Sequence, residues 1–145
     1  MTATLHLGVA DLPYVAAPGA TTGDVAEWLE NKYHIMEVFF HEREGEIAAA
    51  LLNSVEGAME DLLSGKPIKD ILQKGLGTQA GADVIKNMFM QFIDSQAMDR
   101  LGYPGVPTAA SLKGVNHRLK INKGSPRPSF RDTGLYESSF QSWID

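Results

Sequence analysis

His34, Glu37 and His41 stand at i, i+3 and i+7, a spacing that places all three on one face of a helix. Two imidazoles and a carboxylate are zinc ligands. The i, i+7 step sets the two rings about 10 Å apart along the axis, too far for one ion on an unbent helix, and a polar surface accounts for the pattern. Gly75-Leu76-Gly77-Thr78-Gln79-Ala80-Gly81 has the glycine density of a phosphate loop, without the closing Gly-Lys-Ser/Thr and without a buried strand before it. Asp132-Thr133-Gly134 is the aspartic-protease triplet, which in that class belongs inside a β-rich chain that supplies two such carboxylates. Here it occurs once, in a chain of helical patterns. Ser138 and Ser139 have no nearby histidine to act as base. The residues give no catalytic group, no cofactor site and no metal set, and the expectation is a protein that is not an enzyme.

Charge is the next chemistry, and it is unevenly sorted. Residues 1–64 hold 11 acids against Lys32 and Arg43, a net of −9, whereas residues 65–145 hold 11 bases against 7 acids, a net of +4. Lys113, Arg118, Lys120, Lys123, Arg127 and Arg131 carry the basic excess, with no acid between Asp99 and Asp132. A dipolar chain of this kind can pair head to tail with copies of itself, or touch nucleic acid through its basic segment. A solvated loop also fits. The paired reading predicts that Arg118, Arg127 and Arg131 meet carboxylates of a neighbouring subunit, where the bonds can be bidentate.

The basic run ends in Arg127-Pro128-Ser129-Phe130-Arg131-Asp132-Thr133-Gly134-Leu135-Tyr136-Glu137-Ser138-Ser139-Phe140. Pro126 and Pro128 hold the backbone extended. Asp132-Thr133-Gly134 then makes a tight polar turn, because Asp and Thr bond nearby amides and Gly accepts dihedrals that others refuse. Leu135, Phe140 and Trp143 follow among Ser and Glu. The segment fits a capped turn before a last helix or strand. It also fits a docking motif that lies outside the monomer core, with Phe140 and Trp143 exposed unless a partner buries them.

This stretch resembles the Pro-Leu-x-Asp-Thr-Gly-x-Leu-x-x-Ser-Ile signature of tailed-bacteriophage tail-completion and neck proteins, the virion-morphogenesis proteins of Mu-like phages among them. The matching positions are Pro128, Asp132, Thr133, Gly134, Leu135 and Ser138 or Ser139, and the motif covers about a tenth of the chain. The upstream order of a helix, a long helix, another helix and a basic loop is similar to that group. Relatives of this kind usually continue into a strand or hairpin after the motif; here eleven residues follow Gly134. The resemblance implies a structural virion protein of the head–tail connector, without cofactor, assembled in the host cytoplasm. It implies a ring of roughly six or twelve copies that contacts the portal or connector on one side and tail-terminator or tail-tube proteins on the other. DNA would pass through the lumen without specific binding. The expected partner-binding residues are Arg118, Arg127, Phe130, Arg131, Asp132, Thr133, Gly134, Leu135, Phe140 and Trp143.

Elements must position these residues. The chain has 145 residues, 43% of them apolar, and no cysteine, which fits one folded domain without disulfides or thiolate metal sites. Residues 1–18 lack a basic leader pattern, and no segment reaches the roughly 18 apolar residues of a membrane span. Residues 1–20 read as an arm in which Leu5, Leu7 and Val9 alternate as a short strand, able to join a neighbour's sheet. Residues 21–117 read as a helical body, and 118–145 as basic loop and docking motif.

Thr21-Thr22-Gly23-Asp24 offers caps for a helix from Asp24 to about His34. A second helix is expected over Ile35–Leu63, with Ile47, Leu51, Val55, Ala58 and Leu62 on its apolar face and Gly45 as a possible division. Ser64-Gly65-Lys66-Pro67 stops it, and Pro67–Lys74 suits a short helix. A third helix over Ala80–Arg100 carries Val84, Met88, Phe89, Phe92, Ile93 and Ala97, with Met90 and Met98 off that stripe and free to face a neighbour. Gly102–Pro107 ends it, Thr108 caps a short helix from Ala109 to about His117, and Leu119–Asp132 is loop. The fold class is mainly α with minor β. A small helical adaptor that binds nucleic acid through residues 113–131 is the other functional reading, although Phe130 is the only aromatic there to stack on bases.

Overall fold

A computed structural model describes residues 4–15, 18–67, 78–115, 123–131 and 133–144. Strand β1 (Leu5–Val9) leads into helices α1 (Thr22–Tyr33), α2 (Ile35–Leu63) and α3 (Thr78–Asp94). Three short helices follow, α4 (Ala97–Arg100), α5 (Ala109–Lys113) and α6 (Leu135–Ser138), before strand β2 (Phe140–Ile144). The fold is mainly α with one small sheet, as the sequence indicates. Among the described residues no helix is long and apolar enough to cross a membrane. The expected helix over Pro67–Lys74 and the residues beyond Val115 of the expected Ala109–His117 helix lie outside the described residues.

Local chemistry sets the helix starts. Thr21 and Asp24 form a capping box, with the Thr21 hydroxyl accepting from the Asp24 amide and the Asp24 carboxylate accepting from the Thr21 amide. Thr22 is fully buried; its hydroxyl donates to the Ala10 carbonyl and accepts from the Leu12 amide, which fastens the first loop to α1. The chain then turns through His34 in the left-handed region, φ 52°. Glu30 of α1 caps α2 from outside, its carboxylate accepting from the amides of Met36 at 2.8 Å and Glu37 at 3.1 Å.

α2 runs unbroken through Gly45, around whose Cα there is open space. Its buried face differs from the expected one. Ile47, Ala50, Ser54 and Ala58 are buried, whereas Val55 and Leu62 are about half exposed. The cause is the close approach of α3. A Cβ on Gly81 would come within 2.6 Å of Ser54 Oγ and 3.4 Å of the Ala50 carbonyl, so small residues must meet there and the larger ones turn outward. α3 buries Ile85, Phe89, Phe92 and Ile93 while Val84 is exposed, and Met98 on α4 belongs to the core instead of facing a neighbour.

The arm and the C-terminal segment pair with each other. β1 and β2 run antiparallel, with Leu5 opposite Ile144 and Val9 opposite Phe140. This corrects two expectations, an arm that joins a neighbour's sheet and a tail outside the core. Phe140 is fully buried, its ring stacked on Phe89 at 4.1 Å and edge-on to Phe39 at 5.9 Å. Phe39 also meets Phe92 at 5.5 Å. A two-stranded sheet is marginal by itself; here an aromatic cluster from three elements anchors it.

Candidate functional site

Arg127, Pro128, Phe130, Arg131, Thr133, Gly134 and Tyr136 form one wall of a cleft of about 430 Å³. Pro128 enters extended, and the Ser129 hydroxyl accepts from the Thr108 amide and lies 3.1 Å from the Ser111 hydroxyl. Arg127 donates from Nε to the Arg131 carbonyl at 2.7 Å, and from Nη1 to the carbonyls of Ala110 and Val115, both at 3.2 Å. Its guanidinium thus ties down the end of α5, where the Ala110 carbonyl also accepts from the Val115 amide at 3.1 Å. Phe130 has φ 68°, and its ring packs on Tyr33 at 5.0 Å.

Arg131 pairs within the chain, Nη1 to Asp94 Oδ1 at 2.7 Å and Nε to Glu137 Oε1 at 3.5 Å. Gly134, at φ 81°, turns the chain into α6, and the Thr133 hydroxyl accepts from the Leu135 amide at 3.3 Å. The Ser138 and Ser139 hydroxyls donate back to the carbonyls of Leu135 and Tyr136. Trp143 is half exposed, lies parallel to His6 at 5.3 Å, and covers Gly8, where a Cβ would meet the indole at 3.1 Å.

Several predicted partner residues are therefore used internally. Phe140 offers no surface, Arg127 holds carbonyls, and Arg131 meets carboxylates of its own chain instead of a neighbour's. The reason is tertiary: α3 and α6 bring Asp94 and Glu137 to Arg131, and they are far from each other in sequence. Thr133, Gly134 and Leu135 shape the turn. Arg118 and Asp132 lie outside the described residues.

Burial shifts two groups beside the motif. Loss of water holds the Tyr136 phenol well above its ordinary value, with Glu30 and Tyr14 adding to the effect. The Glu137 carboxyl is raised first by burial and then by Asp94, with Arg131 opposing.

The cleft has features that the motif did not reveal. Trp28, Tyr33 and Phe130 line its apolar side. Trp28 is 56% exposed, and Lys32 Nζ lies 4.9 Å from its ring and 5.1 Å from that of Tyr33, within cation–π reach. The signal in the sequence was the run Trp28, Lys32, Tyr33 at one-turn spacing. Such a cleft can hold apolar side chains flanked by acidic groups. The His34, Glu37 and His41 set is not assembled as the spacing suggested, since His34 sits in the turn before α2. The ligand atoms of Glu30, His34 and Glu37 lie within 4.8 Å of one another instead, and both Glu30 oxygens already cap α2.

No family model, no curated protein and no solved structure matches this chain.

Proposed function

We propose that this chain is a structural subunit of the head–tail neck of a tailed bacteriophage, forming a ring between the portal or connector and the tail. The observation that carries the reading is the resemblance at Pro128, Asp132–Leu135 and Ser138 or Ser139. The strand β2 that follows the motif is what proteins of that signature usually have after it. The role needs no catalytic group and no cofactor; it needs a rigid body with surfaces for copies of itself and for adjacent layers. The acidic first half suits a surface facing the DNA path, where like charge prevents sticking.

The test is deletion of the gene from the phage that carries it. Electron microscopy of the lysate should show filled heads and finished tails that fail to join, and the intact gene supplied in trans should restore infectious particles. Mass spectrometry of purified virions should find the protein. Normal virions without it would overturn the reading. A duplex-DNA mobility shift that disappears by about 200 mM salt would support the nucleic-acid adaptor instead.

A further inference from the structure

Two apolar surfaces lie open, one edged by acids and the other flanked by bases. The first is on the second half of α2. Leu52, Val55, Met59 and Leu62 are 61%, 48%, 59% and 49% exposed and fall at i, i+3, i+7 and i+10, a single stripe turned away from the Ala50, Ser54 and Ala58 face that meets α3. Glu56 and Glu60 run along its edge. Anchors at this spacing on an amphipathic helix are those that enter an apolar groove. The second surface is the cleft of Trp28, Tyr33 and Phe130, whose rim holds Lys32 and Arg127, while Arg131 beside them is already paired with Asp94 and Glu137. Among the described residues its one lining carboxylate, Asp24, is engaged in the capping box. Thr108, Ala110, Ser111, Arg127, Pro128 and Phe130, which line this cleft, belong to a stretch of sequence, residues 100–131, with seven bases and no acid.

These surfaces cannot meet within one copy. Glu30 fixes α1 to the start of α2 at Met36, whereas the stripe begins at Leu52, about 24 Å farther along the helix axis. We infer that the α2 stripe of one copy docks in the aromatic cleft of the next, acidic edge against basic rim. The contact joins unlike patches, so it is head to tail and generates a ring when its rotation closes. It specifies the self-contact of the ring proposed above and rests on that reading.

Light scattering on size-separated full-length protein tests the pairing. Met59→Glu disables the stripe and Trp28→Glu the cleft; both side chains are exposed, so each variant should melt within a few degrees of the parent. The parent should form a discrete oligomer. Each variant alone should be monomeric, with the midpoint concentration for assembly raised about 30-fold or more. A 1:1 mixture should give a heterodimer, because each variant keeps one intact patch and the chain cannot extend further. Variants that assemble like the parent would overturn the pairing and leave the ring reading standing. Monomers that stay monomeric on mixing would overturn the head-to-tail geometry. A large loss of monomer melting temperature in Met59→Glu would show the stripe covered by its own chain, and a parent monomeric at all concentrations would remove the contact altogether. Heterodimers from a protein absent from virions would uphold this contact and sink the neck role.

Discussion

Glu137 carries the largest electrostatic cost in the motif. Its side chain is 5% exposed, Oε2 has no hydrogen-bond partner among the described residues, and Arg131 reaches Oε1 at only 3.5 Å. Burial and Asp94 raise its carboxyl above the unfolded value of 4.5. A carboxyl raised on folding binds its proton more tightly in the folded state. Its contribution is fully present below about pH 4.5 and is lost as pH rises through the folded value. Glu137→Gln removes the titrating group, so the melting temperature of the variant minus that of the parent should increase from pH 5 to pH 7. A flat or falling difference would show that Arg131 compensates the buried charge. Phe140 lies two residues after Ser138, and from the sequence its ring could have faced out. Its full burial predicts that Phe140→Ala costs about 3–5 kcal/mol in urea unfolding.

At the scale of elements, the contact between α2 and α3 decides which side of the long helix is left open. Gly81 gives up helix propensity, about 1 kcal/mol relative to alanine, and its Cα approaches Ser54 Oγ too closely for a methyl group. Gly81→Ala should therefore give little or no gain by itself. In a Ser54→Ala background the hydroxyl is gone, and the same change should stabilise by up to about 1 kcal/mol. Urea unfolding of the four proteins in this cycle measures the coupling; simple additivity would mean that the helices move apart at no cost. The same packing places Leu52, Val55, Met59 and Leu62 on the surface, where they are free to serve assembly.

For the whole molecule, the two ends close the fold. β1 comes from the first residues and β2 from the last, and their inner faces share one core with Phe39 and Phe89. Removal of residues 127–145 takes away β2, Phe140, Tyr136 and the Arg127 clamp together. The truncated chain should lose its cooperative thermal transition while keeping part of its helical circular dichroism. A sharp transition near the parent temperature would restore the view of the tail as a separable docking element. The proposed assembly would then draw on surfaces other than the buried tail. In that proposal the charge split of −9 against +4, less Arg131, which is paired within the chain, would orient one copy against the next.

Much of this was legible in the chain itself. The capping residues Thr21 and Asp24, the stop at Ser64-Gly65, the extent Ile35–Leu63 and the alternation of Leu5, Leu7 and Val9 are local effects. They depend on a side chain bonding its own backbone or on a period of 3.6 or 2, so they can be read without knowing what packs against them. Choosing among several apolar faces is different. Val55 and Leu62 fit the helical period as well as Ala50 and Ser54 do, and only the approach of Gly81 shows that small residues go inside. Arg131 reads as a free cation until α3 and α6 bring Asp94 and Glu137 beside it. Phe140 reads as a docking residue until Phe39 and Phe89 arrive from far along the chain. Periodicity and capping belong to the sequence; the neighbours that decide burial and pairing come from tertiary structure, because contacts between distant residues leave no local pattern.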